Sequence, residues 1–233
     1  MKPVFILMLT YNDQTVPNAI ELFRECKDTP VMHWGFKDVG LPVPEMKQLV
    51  QEMKKAGKTT YLEVVSLSEQ EGLAGAKLAV EAGFDILMGT VFFDSILEYL
   101  KDKPIKYFPF PGHVHSHPSI LDGEINEIVE HARFLQGRGV PGMDLLSYRY
   151  VGDAPTLLRA VVAATSVPIV SAGSIESEKR LVEVWEAGAW GFTIGSALFD
   201  KKFVPDGSFK DNILAVCEWL EKRGEAQAMK SGS

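Results

Sequence analysis

Cysteine is scarce in this chain: its 233 residues include two, Cys26 and Cys217. Two cysteines cannot build a disulfide scaffold or a four-cysteine zinc site. Both fall in amphipathic stretches, where a buried free thiol is the ordinary outcome. Long apolar runs are missing too. None reaches the ~18 residues that a membrane-spanning helix needs, so no membrane partner is expected. A basic excess is also absent: 31 Asp and Glu stand against 24 Lys and Arg, for a net charge of −7. That argues against a nucleic-acid partner. The opening MKPVFILMLT has one lysine, a short apolar run and no small-residue cleavage site. It reads as a strand and not as a signal peptide, and the expected compartment is the cytoplasm. No linker or low-complexity run breaks the chain, so one domain is expected over 1–224, with a loose tail over 225–233. What is present is an ordinary globular composition, 46% hydrophobic and 24% charged, on a chain long enough to bury a large core.

Short apolar runs alternate with longer amphipathic ones, eight times over. The expected strands are 3–10, 31–37, 59–66, 85–90, 105–110, 142–149, 168–172 and 191–195. They are nearly all apolar and rich in Val, Ile, Phe and Tyr, as strands covered on both faces should be. The expected helices are 16–27, 44–56, 68–82, 93–101, 123–138, 154–165, 177–187 and 209–223. Asp122, Asp153, Ser177 and Ser208 supply start signals; Gly57, Gly83, Gly139 and Gly188 supply stops. Eight β-then-α units predict an α/β fold, a (β/α)8 TIM barrel. An internal repeat agrees. LAVEAGFDILMGTVFFD at 78–94 and VEVWEAGAWGFTIGSALFD at 182–200 both close a helix with Glu-Ala-Gly, then give a strand, a Gly-Thr or Gly-Ser, and Phe-Asp. Their separation of about half the chain predicts a half-barrel duplication.

Active sites of such barrels lie at the C-terminal ends of the strands. Strand 7 ends Ser171-Ala172-Gly173-Ser174, and strand 8 ends Ile194-Gly195-Ser196 before a short helix. Glycines let backbone N–H groups approach a ligand. Gly173, Ser174, Gly195 and Ser196 are therefore the expected phosphate site. Glu63 sits inside an apolar strand and shares a face with Tyr61. If that face points inward, the carboxylate is desolvated and is either a general acid/base or half of an ion pair with Lys37. Lys37 shares a face with His33 and Gly35. It can bind phosphate, stabilise an enolate, or form a Schiff base if desolvated. His33 reads as a packed core residue. Gly35 makes room for a ligand or a neighbouring side chain. The loop after strand 5 carries His113, His115 and His117. His113, nearest the strand, is the expected acid/base histidine, with His115 a further substrate contact. A divalent ion held by the three histidines, with Glu63 or Asp144, is the alternative. Arg149 at the barrel mouth suits an anionic substrate. Trp185 and Trp190 read as exposed, to form a homo-oligomer interface or simply to pack.

The segment VPIVSAGSIESEKRLVEVWEAGAWGFTIGSALFDKKF, residues 167–203, resembles the end of the ribulose-phosphate-binding barrels. It is most similar to the histidine-biosynthesis isomerase and cyclase group. The resemblance implies phosphate contacts at Gly173, Ser174, Gly195 and Ser196, and a half-barrel repeat. It also implies a second phosphate site at strands 3 and 4, for which Gly89 and Thr90 match one half. It covers this segment closely and the rest as architecture only. The departures are informative. That group places catalytic aspartates at the ends of strands 1 and 5. Here strand 1 ends Leu9-Thr10-Tyr11, with Asp13 only in the loop, and strand 5 ends without an acid. Strand 3 has Val64-Val65-Ser66 where the group has Gly-Gly. The Asp-x-Lys-x-x-Asp of related decarboxylases and the His/Asp metal set of related epimerases are missing. The expected function is an isomerase, epimerase or lyase acting on a small phosphorylated metabolite by proton transfer. Glu63, Lys37 and His113 would be catalytic, with no organic cofactor. The alternative is a non-catalytic phosphometabolite sensor, similar to the glycerol-phosphate-responsive antiterminator barrels.

Overall fold

A computed structural model describes residues 2–231. Strand β1 (Val4–Met8) runs into a small hairpin, β2 (Thr10–Tyr11) and β3 (Gln14–Thr15), ahead of α1 (Ala19–Cys26). Then come β4 (His33–Lys37), α2 (Val43–Lys55), β5 (Thr59–Val64), α3 (Glu69–Ala82), β6 (Ile86–Val91) and α4 (Asp94–Leu100). The second half has β7 (Lys106–Phe110), a hairpin of β8 (His113–His115) and β9 (Ile120–Asp122), α5 (Ile125–Gly137) and β10 (Met143–Leu145). It ends with α6 (Ala154–Ala164), β11 (Ile169–Ser171), α7 (Glu178–Ala187), β12 (Gly191–Ile194), the single turn α8 (Ser196–Phe199) and α9 (Phe209–Ser231).

Eight strands form one parallel sheet in the order β10-β11-β12-β1-β4-β5-β6-β7. β7 lies beside β10 and nearly closes the barrel. The expected TIM barrel is the fold. Its strands are buried on both faces because helices cover the outside. The capping follows the signals in the sequence. The Ser68 hydroxyl accepts from Glu71 N, Asp153 from Thr156 N and Ser177 from Arg180 N, while Gly83 and Gly188 end α3 and α7 in the left-handed region.

Four local expectations change. Asp122 belongs to β9, and α5 is started by Glu124 in a capping box with Glu127. The expected sixth strand stops at Leu145, and Ser147–Arg149 is a 3-10 turn. Helix α9 continues through residues 225–231 of the expected loose tail, whose last two residues, 232 and 233, lie outside the described residues. That stretch, EAQAMKS, is mostly strong helix formers, and Trp185 Nε1 donates to Gln227 Oε1 at 3.1 Å. Trp185 and Trp190 are packed and offer no exposed patch. Trp185 is buried, and Trp190 stands edge-on to Phe108 and His33 in the barrel interior.

The interior is layered. Ile6, Met8, Tyr61, Ile86, Met88, Phe108 and Val170 form an apolar plug with Trp190 against it. His33 is a packed residue here, its Nδ1 2.7 Å from Tyr61 Oη. Gly35 makes its room for a neighbour: a Cβ there would stand 2.7 Å from Met8 Sδ. Above the plug, toward the C-terminal strand ends, the lining becomes charged.

Candidate functional site

Alternation along β4 and β5 sends Lys37 and Glu63 into the barrel, and their registers pair them directly. Both are buried, at 7% and 8% exposure. Lys37 Nζ lies 3.5 Å from Glu63 Oε1 and donates to Asp13 Oδ1 at 2.8 Å. Asp13 comes from the β2–β3 turn, where Asn12 and Asp13 both have positive φ. Its other contact is Arg149, whose Nη2 sits 3.1 Å from Oδ2. The turn is tied to β4 through Thr15 Oγ1, which donates to the Lys37 carbonyl at 2.7 Å.

The electrostatics follow from this packing. Burial pushes the Lys37 pKa down, but Glu63 and Asp13 together outweigh it and hold the amine above its ordinary value. Lys37 is therefore an ammonium, and the Schiff-base option, which needs a free amine, has no support. Burial raises Asp13, while Lys37 and Arg149 more than reverse that and keep it below the ordinary aspartate range. Asp38, next along the chain, is pushed to about 6, mainly by burial. Asp144 on β10 is the extreme case. It is fully buried, and neither carboxyl oxygen has a hydrogen-bond partner among the described residues. Burial first, and then the Glu63 charge, raise its pKa well above the ordinary value. Both causes favour its neutral, protonated form.

The β11–α7 and β12–α8 loops open onto the same cavity. Gly173, Ser174, Gly195 and Ser196 line it together with Lys37, Glu63, Asp13 and Arg149. Its volume is about 130 Å³. Gly173 has a φ of +82°, and a Cβ there would meet Arg149 Cγ at 2.5 Å, so only glycine lets the loop pass this close. Arg180 braces the loop by donating to the Ser174 carbonyl. Ser196 Oγ accepts from Asn12 N at 3.3 Å, joining the β2–β3 turn to the α8 turn.

Other expected site residues stand elsewhere. His113 is exposed and does not line the cavity. The loop folds as an antiparallel hairpin whose alternation turns Val114 and Leu121 into the core and His113 and His115 outward. His115 bonds Ser116 Oγ through Nδ1 at 2.9 Å. Among the described residues no three His, Cys, Asp or Glu side chains are grouped to hold a metal ion. Gly89 and Thr90 are also away from the cavity. Both take positive φ and put a bulge between Met88 and Val91, and the buried Thr90 hydroxyl is 2.5 Å from Tyr107 Oη. Their half of a second phosphate site is thus used in packing. Three residues that line or back the site had no role, or a different one, in the sequence reading. Asp13 was visible only as a loop acid, and Asp144 only as a metal-ligand option. Ser119, which lines the cavity, carried no signal at all.

By sequence, the chain matches no protein-family model and no curated protein. By shape it matches many solved structures. A cube-shaped, highly porous protein cage designed by fusing symmetric oligomeric domains aligns with a TM-score of 0.68 at 13% identity, over 100% of this chain and 78% of that one. Orotidine 5′-phosphate decarboxylase from Pyrococcus horikoshii OT3 gives 0.66 at 11% identity, over 94% and 99%. The N-acetylmannosamine-6-phosphate 2-epimerase from Clostridium perfringens gives 0.61 at 10% identity, over 86% and 91%. At these identities the likeness is one of fold. The chain is a (β/α)8 barrel with a charged cavity at the C-terminal strand ends, and it shares that fold with these proteins.

Proposed function

We propose that this barrel is an enzyme acting on a small phosphorylated metabolite, an isomerase, epimerase or lyase working by proton transfer beside a carbonyl. The observation that carries this reading is the single cavity joining Gly173, Ser174, Gly195 and Ser196 to the Lys37–Glu63 pair. The phosphate rests on the two loops, whose glycines let backbone N–H groups approach it. The Lys37 ammonium faces the carbonyl oxygen and stabilises negative charge developing there. Glu63 takes the proton from the neighbouring carbon and returns it. Asp13, itself braced by Arg149, holds Lys37 in place. Asp144, whose neutral form burial favours, backs the pair as a positioning residue. A cavity of about 130 Å³ suits a phosphate on a short carbon chain. Two of the barrels alike in fold have phosphorylated compounds in their names, which fits the same reading. The chemistry calls for no organic cofactor.

One observation favours the sensor instead: Lys37 is already answered by two carboxylates, as a purely structural cation would be. Proton exchange separates the two readings. A panel of sugar and keto-acid phosphates in deuterated water is followed by NMR. The enzyme exchanges a carbon-bound proton of its ligand, and Glu63→Gln slows that exchange about 100-fold or more. A ligand that binds without exchange in the wild type rejects the enzyme and leaves the sensor.

A further inference from the structure

Two polar side chains on the cavity floor are more than nine-tenths buried and make no hydrogen bond with the described residues. Glu63 and Thr193 are each 8% exposed, and both line the cavity. Glu63 has the Lys37 ammonium at 3.5 Å as its ion-pair partner; the Thr193 hydroxyl has no partner among the described residues. Alternation along the strands turns both inward. Tyr61, two places before Glu63, belongs to the apolar plug, as does Ile6, which faces Thr193 in the ladder of β1 and β12. Phe192 and Ile194, on either side of Thr193, belong to the core between strands and helices. Glu63 and Thr193 therefore stand at the top of the plug, and Met8 of the plug lines the cavity with them. The side-chain oxygens that are unpartnered and cut off from any surface belong to Asp38, Ser119 and Asp144, and not to these two. Native proteins leave few buried polar groups unmet. Two that open onto one cavity point to a ligand group that meets both.

The chemistry of the pair narrows that group. An ionised carboxylate only accepts, and a hydroxyl oxygen also accepts. The group is then a donor, either a neutral hydroxyl or an ammonium. Charge decides between them. The cavity is lined by Asp13, Glu63, Glu176 and Asp200 against Lys37 and Arg149. Arg180 answers Glu176 from outside at 3.2 Å, and three acids still face two cations. A phosphate alone adds to that negative excess. A cationic group on the same ligand offsets it, and does so best where water is largely excluded.

We propose that the cavity floor is a subsite for a primary ammonium group, held by Glu63 and Thr193. The ammonium donates to one Glu63 oxygen and to Thr193 Oγ, and the second Glu63 oxygen stays free for proton transfer. The ligand class is then a short amine with an anionic far end, a cation at the floor and a phosphate at the loops. This rests on the phosphate-ester reading above for the far end alone and adds a group of opposite charge.

Titration calorimetry near neutral pH tests it with matched esters: 2-aminoethyl and 3-aminopropyl phosphate, their hydroxy counterparts, and n-propyl phosphate. The proteins are wild type, Glu63→Gln, Thr193→Val and Thr193→Ser, with melting temperatures to show that each is folded. In the wild type at least one amino ester binds about tenfold or more tighter than its hydroxy counterpart, the worth of a charge-assisted hydrogen bond. Glu63→Gln abolishes that preference and binds propyl phosphate at least as tightly as the wild type. Thr193→Val, which keeps the shape and removes the hydroxyl, cuts the preference about fivefold and leaves propyl phosphate within about twofold. Thr193→Ser keeps it. If the wild type takes amino and hydroxy esters equally, or if Glu63→Gln and Thr193→Val keep the full preference or weaken all esters alike, the ammonium subsite fails while the phosphate site stands. If the wild type binds none of the five, the phosphate reading itself falls and takes this inference with it.

Discussion

A carboxyl group buried with neither oxygen hydrogen-bonded costs several kcal/mol if it ionises, so burial favours the protonated form of Asp144. The consequence for stability has a definite sign. An unfolded aspartate ionises near about pH 4, the native Asp144 well above that. Between the two the native state binds the extra proton, so stability falls as pH rises. Asp38 adds the same trend up to about 6. Asp144→Asn removes only its own share. Urea titrations should therefore show the variant gaining on the wild type as pH rises above about 4, where the unfolded aspartate ionises first. A difference that stays constant with pH would mean that Asp144 ionises normally. Lys37 shows the opposite logic. It is the one cation bonded to both Asp13 and Glu63, and it is buried with them. Lys37→Met strands the buried Glu63 and leaves Asp13 with Arg149 alone, and should cost about 3–5 kcal/mol. Arg149→Met should cost clearly less, because its side chain is 29% exposed and water can take its place at Asp13. Equal losses from the two substitutions would show that the Lys37 cluster is not buried as described.

Among the elements, the repeat shows how two similar strand ends part company. Both copies close a helix at a glycine and lead into an interior strand. Then Gly89-Thr90 turns into packing, while Gly195-Ser196 opens onto the cavity. Gly89 has a φ of +78°, and a Cβ on it would stand 2.5 Å from the Val64 carbonyl. Gly89→Ala should cost at least about 2 kcal/mol in a denaturant titration and leave ligand binding intact. Loss of phosphate-ester binding in a folded variant would place a ligand there after all. The alternation of strands and helices was legible because strands covered on both faces must be apolar and because Ser177, Asp153 and the closing glycines mark helix ends. The two hairpins were not legible. Strands of two or three residues carry no period, and nothing in Gly112–Pro118 shows that its histidines point away from the barrel. Lys37 and Glu63 stood out because a charge in an apolar strand needs a reason. Asp144 met the same criterion between Met143 and Leu145 but was read only as a metal-ligand option. Asp13 was hidden in a loop, since sequence spacing does not reveal that a turn folds back onto Lys37.

For the molecule as a whole, the barrel is plugged at one end and polar at the other. Trp190, Phe108, His33 and Tyr61 close the N-terminal side, and the Lys37 cluster occupies the C-terminal side beneath two glycine-serine loops. That polarity makes the C-terminal cavity the natural place for chemistry in this fold. It also makes the central claim simple to test. Titration calorimetry with sugar phosphates and with their unphosphorylated parents is run on the wild type and on Ser196→Asp, which sets a negative charge against the proposed phosphate position. The account predicts that the wild type binds phosphate esters and not the parent compounds, and that the aspartate variant, still folded, loses this binding by about 100-fold or more. A wild type that takes the unphosphorylated parents equally well, or a variant that binds as tightly as the wild type, would contradict it.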